Sequence, residues 1–140
     1  MYIPFRPGQR ITADALNTLI VEEIMEWTAL GTLGTFKNGC SAGNPIPRMR
    51  KLRVMGTEVW EFEGRVVMPS TAPGTSVDTF QFTSGPFVSA ERGFCAYGFG
   101  STYAHRVGFT SSGLIRCQTP SGSTSNSTGF MLDGFCITNP

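Results

Sequence analysis

Short segments in which apolar and polar residues alternate make up most of this chain, and turn residues separate them about every 8 to 12 positions. The clearest is VWEFEGRVVM, where Trp60, Phe62, Val66 and Met68 alternate with charged or smaller residues. The 17 glycines and 9 prolines supply the many tight turns that such segments need. We count about eight strands, which predicts a mainly β fold: an antiparallel, jelly-roll-like β-sandwich preceded by a short α-helix.

The composition is that of one folded domain. The chain has 140 residues, of which 40% are hydrophobic and 15% charged, whereas disordered chains have the opposite balance. The formal net charge of +1 gives no broad field for nucleic acid or an anionic membrane. Long apolar runs and a signal-peptide layout are also absent from the sequence, so we expect synthesis and assembly in the cytoplasm.

The N-terminal part is patterned differently. Residues 1–11 contain two prolines and predict an extended arm. Thr12 is placed as a helix N-cap and Asp14 lies in the first turn, where the helix dipole favours a negative charge. Apolar residues then recur at helical spacing, which predicts a helix over 12–27 and a β head domain over 28–140.

The apolar side of this predicted helix has two interpretations. It could pack against its own β domain, or copies from several chains could form a short parallel bundle. We favour the bundle, because about fourteen residues with so broad an apolar face are only marginally stable alone. The predicted interface consists of Leu16, Leu19, Ile20, Ile24 and Trp27.

No catalytic motif is recognisable. The single histidine, His105, has no serine nucleophile elbow to serve, and we interpret it as a surface or interface residue. Glu61 and Glu63 alternate on one side of a predicted strand and are interpreted as its solvated face rather than as paired catalytic acids. Catalytic residues and cofactors are therefore not expected, and the protein is not expected to be an enzyme.

The four cysteines are spaced unlike the ligands of a zinc site, since no C-x-x-C pair occurs. Cys95 and Cys117 lie in strand-like surroundings and are expected to be small core residues; a disulfide formed after release from the cell is the alternative. No metal site is expected.

Two clusters could form binding surfaces. Arg48, Arg50, Lys51 and Arg53 could bind phosphate, but such residues more often pair with acids of a neighbouring strand or subunit, such as Glu58 or Glu61. The second cluster joins flat aromatic area to polar groups, which suits recognition of sugars or proteins. This candidate receptor surface consists of Tyr97, Tyr103, His105 and Arg106.

Several short motifs occur in a fixed order along the chain. Residues 7–19 read PGQRITADALNTL, and they are followed by Trp27, Asn38-Gly39, Arg50-Lys51, a strand with Gly64, and Leu132-Asp133-Gly134. This order resembles small virion proteins of tailed bacteriophages, of the tail-fibre, baseplate or minor-tail class, in which a "PG..ITA..LN.L" helix leads into a β-sandwich head.

The resemblance implies a homotrimeric structural protein at the virion surface, in a tail fibre or tail tip, whose head binds a glycan or protein of the host cell. The Pro-rich arm, with Tyr2, Ile3, Phe5 and Arg6, would attach it to other virion proteins. The alternative is a capsid decoration or head-fibre protein that stabilises the shell at threefold positions. A carbohydrate-binding module is a second alternative.

Overall fold

A computed structural model describes residues 21–101 and 103–140. Within these residues the chain is mainly β and its strands pair antiparallel, which confirms the predicted fold class. The elements are β1 (Val21–Ala29), α1 (Leu30–Leu33), β2 (Gly34–Phe36), β3 (Ser41–Ala42), β4 (Arg48–Val54), β5 (Thr57–Glu63), β6 (Arg65–Thr71), β7 (Ser76–Phe82), β8 (Arg92–Ala96), β9 (Gly98–Phe99), β10 (His105–Phe109), β11 (Leu114–Gln118), β12 (Ser127–Met131) and β13 (Cys136–Thr138).

The strands form three sheets around one core. Their orders are β1-β4-β5-β13, β2-β7-β11-β10-β8 and β3-β6-β12-β9. Side chains from all three sheets meet in one buried cluster; Phe62 of the first sheet contacts Phe109 of the second at 4.7 Å between ring centres, and Phe130 of the third is fully buried. No helix in the described part of the chain is long and apolar enough to cross a membrane.

The predicted helix over 12–27 is wrong in its C-terminal part. Val21–Ala29 is a strand that pairs with β4, and Met25 packs against the core. The register shifts between Glu23 and Met25 and again between Met25 and Thr28. These bulges interrupt the alternation of apolar and polar residues that is normal for a strand. The apolar residues of β1 therefore occur at spacings that are typical of a helix. Residues 12–20 of the predicted helix lie outside the described residues.

The head sheet therefore starts before the predicted boundary at residue 28. Its edge strand β1 contains the last seven residues of the predicted helix, Val21 to Trp27. The short helix α1 follows, within the range predicted to be the β head.

Gly64 divides the stretch that looks like one strand in the sequence. The alternation continues across it, with Trp60 and Phe62 buried before it and Val66 and Met68 buried after it. However, Gly64 has φ +97°, and a Cβ there would lie 2.3 Å from the carbonyl oxygen of Ile46. The chain therefore leaves one sheet as β5 and enters another as β6, which is one reason why the structure has more strands than the eight expected.

Candidate functional site

The basic cluster of β4 is paired with acids, as predicted. Arg50 Nε donates to Glu61 Oε2 at 2.5 Å, and Arg48 donates to Glu63, both on the neighbouring strand β5. Arg53 Nη1 donates to Glu22 Oε2 of β1 at 2.8 Å. These carboxylates neutralise three of the four basic residues and leave little charge for a phosphate.

A shallow cavity of about 480 Å³ adjoins these pairs. The indole ring of Trp27 lies on one side, with the guanidinium carbons of Arg48 and Arg50 at 5.4 and 4.8 Å from its centre. Its carboxylates are already engaged: Glu61 and Glu63 with the arginines, and Asp133 Oδ1 with the backbone N–H of Gly64 at 2.7 Å. Each acid of this cavity therefore has a hydrogen-bond partner within the described residues.

The residues predicted for the trimer interface and the arm are only partly described. Leu16, Leu19 and Ile20 lie outside the described residues, as do the arm residues Tyr2, Ile3, Phe5 and Arg6. Ile24 is 41% exposed on the edge strand β1. Trp27 is half-buried beneath the arginines of its own chain.

His105 does not belong to a surface, contrary to the prediction. It is 1% exposed, and its ring packs against Gly98, where an added Cβ would lie 2.1 Å from Cε1. His105 pairs with Ala96 across the sheet and faces inward, while the next residue, Arg106, is exposed on the other face. Burial lowers the pKa of His105 below 6.5, so the ring is neutral at pH 7.

The other residues of the candidate receptor surface are accessible. Tyr97 is 68% and Tyr103 is 56% exposed, and Arg106 is also exposed. In the structure, Tyr97 and a different arginine, Arg65, both contact the ring of Phe99. The guanidinium carbon of Arg65 lies 3.7 Å from the centre of the Phe99 ring, whose centre is 5.1 Å from that of Tyr97.

Arg65 was missed because it is 32 residues before Tyr97 in the chain. Tyr97 directly precedes β9, and only the sheet order β6-β12-β9 brings β9 near β6, the strand of Arg65. The one sequence signal for it was its place in an alternating strand. Arg65 falls between the buried positions, and so on the outward side, next to Val66.

The four cysteines are free thiols. Cys117 is a fully buried core residue as predicted, and Cys40 is buried as well. The prediction for Cys95 is wrong, because Cys95 pairs with Arg106 across the sheet and shares its exposed face. Burial raises the pKa of Cys40 to about 11 and that of Cys117 to about 12.

Residues 21–101 and 103–140 contain no group of three or more His, Cys, Asp or Glu side chains that could hold a metal ion.

No protein-family model, curated protein or solved structure matches the chain.

Proposed function

We propose that this protein is a structural subunit of a tailed-bacteriophage virion, a homotrimer of the tail fibre or tail tip whose β head binds the host surface. The proposal rests mainly on the order of two features along the chain, the N-terminal motif and the β head. The motif PGQRITADALNTL ends at residue 19, and the chain enters the head directly after it through an edge strand with exposed apolar side chains.

This edge strand supports self-association. In the described part of the chain β1 pairs on one side only, with β4. Val21 and Ile24 on it are 49% and 41% exposed. An exposed strand edge with apolar side chains is a ready surface for another chain. We therefore propose that the trimer contact is formed by β1 together with the segment that contains Leu16, Leu19 and Ile20.

The head supports a role in recognition rather than in catalysis. The acids of the cavity beside Trp27 are paired, while two tyrosines, Tyr97 and Tyr103, are more than half exposed. Tyrosines in this state present flat area and a hydroxyl group to a ligand. A host glycan or protein is the proposed partner of this head, and other virion proteins are the proposed partners of the arm.

The capsid-decoration alternative uses the same trimer and the same head. It differs in what the arm residues Tyr2, Ile3, Phe5 and Arg6 bind: the shell instead of the tail. The two proposals therefore share their test of assembly and differ in the location of the protein on the particle.

Native mass spectrometry of the purified chain tests the assembly. We expect a species of about three times 15.2 kDa at micromolar concentration. A species of the single-chain mass under these conditions would contradict the trimer.

A further inference from the structure

Three side chains form a small patch on the outer face of the sheet β3-β6-β12-β9: Arg65, Phe99 and Tyr97, named here the Arg65 patch. Val66 and Met68 on β6 are buried in the core, so Arg65 points to the opposite face. Phe99 on β9 lies opposite Gly129 on β12. Because Gly129 has no side chain, the Phe99 ring can extend across β12 as far as Arg65.

The arginine of this patch, like Arg92 and Arg106, has no carboxylate partner among the described residues, unlike four other arginines on the sheets. Arg48, Arg50, Arg53 and Arg116 each donate to a carboxylate, the last to Asp78 at 2.7 Å. Arg65 has no such ion pair with any described residue, and its buried Nε has no hydrogen-bond acceptor. Its positive charge thus lacks a counter-charge within the described part of the chain.

The Arg65 guanidinium is nevertheless held in place. Its central carbon lies 3.7 Å from the centre of the Phe99 ring. The rings of Tyr97 and Phe99 pack edge to face, with 5.1 Å between their centres and 85° between their planes. The stem of Arg65 passes close to Gly43, where an added Cβ would be 2.9 Å from Arg65 Cγ. A cation ordered in this way loses little entropy when it binds an anion.

We propose that the Arg65 patch binds a carboxylate-bearing sugar, such as a uronic acid of a surface polysaccharide. The terminal nitrogens of Arg65 would take the carboxylate, since Nε is buried, and the exposed ring of Tyr97 would pack against the sugar. Charge complementarity favours an acid, and a flat aromatic ring beside one cation fits a sugar ring better than an extended peptide. The inference rests on the proposed host-binding head and gives its ligand class.

The probe is trigalacturonate, with its methyl ester as the uncharged counterpart. We expect trigalacturonate to shift the NMR signals of the Phe99 amide and the Arg65 Nε–H group in a saturable way, and the ester to bind about tenfold more weakly or not at all. Arg65→Gln should weaken binding about tenfold or more, and Arg65→Lys, which keeps the charge without the planar donor pair, should lie between.

Matched controls lie on the same head. Arg116→Gln removes an exposed arginine that is already paired with Asp78, and Met55→Ala removes another exposed large side chain. Both should bind like the wild type, whereas Tyr97→Ala should not. Equal binding of the acid and its ester would overturn the proposal, as would unchanged binding by Arg65→Gln or equal shifts with oligoglutamate, which would indicate an acidic protein partner. Because binding is measured on the purified protein, its failure leaves the trimer mass and the virion location unaffected.

Discussion

His105 Nε2 is hydrogen-bonded to Ser127 Oγ inside the fold. The other ring nitrogen, Nδ1, lies 3.3 Å from the carbonyl oxygen of Tyr103. A carbonyl can only accept, so Nδ1 carries the proton and Nε2 accepts from the serine hydroxyl. The only histidine of the chain is thus a neutral structural residue that joins β10 to β12.

The stability of the protein should fall when this ring is protonated. Burial lowers the pKa of His105 in the folded state below 6.5, so the unfolded state binds the proton more readily. The contribution of the neutral His105 ring to the free energy of unfolding is therefore fully present above pH 6.5, and it is lost as the pH falls toward the folded-state pKa. Urea unfolding from about pH 7 to pH 5 measures this loss, and His105→Gln should show a smaller pH dependence over that range. An identical pH dependence in the variant would contradict the assignment.

Gly98 should tolerate no side chain. A Cβ at this position would lie 2.1 Å from Cε1 of the His105 ring, which cannot move away because it is buried and hydrogen-bonded on both sides. Gly98→Ala should cost about 1 to 3 kcal/mol of unfolding free energy, or more. Gly31→Ala is the control, since a Cβ there meets its nearest neighbour at 4.0 Å. Equal stability of the two variants in urea would show that His105 packs elsewhere.

The cysteines should react in two classes. Cys95 and Cys136 are exposed, while Cys40 and Cys117 are buried and their thiols have pKa values of about 11 and about 12. A thiol reagent at about pH 8 should therefore modify Cys95 and Cys136 in the native protein and all four after denaturation. Peptide mass spectrometry identifies the modified residues. Modification of Cys117 as fast as Cys95 in the native state would contradict the described core.

Alternation and turn residues were sufficient to predict the antiparallel β fold, because burial of one sheet face imposes a period of two. They failed at β1, where two bulges disturb that period, and at Gly64, where the alternation continues while the chain changes sheets. The acid partners of Arg48 and Arg50 were predictable, since β4 and β5 are joined by a short turn. The partner of Arg53 was not, because Glu22 lies on β1, which was predicted to be helical. Arg65 and Phe99 could not be paired from the sequence, because their contact depends on the order of three strands distant in the chain.

A charge on the exposed edge of β1 should prevent assembly. Ile24→Asp places a carboxylate in the proposed contact between copies, where it would lose its water, so the trimer should dissociate to single chains. Ile46→Asp is the control, because Ile46 is also an exposed isoleucine, at 59%, and lies outside β1. Native mass spectrometry compares the two. A trimer that survives Ile24→Asp, or one that Ile46→Asp also abolishes, would exclude β1 as the contact.

The location of the protein on phage particles tests the proposed function most directly. Antibodies raised against the purified chain can be bound to particles of the phage that encodes it and visualised by electron microscopy with a gold label. We predict label at the tail fibres or tail tip. Label on the capsid would contradict the tail assignment in favour of shell decoration, and particles without label on any surface would contradict the assignment to the virion.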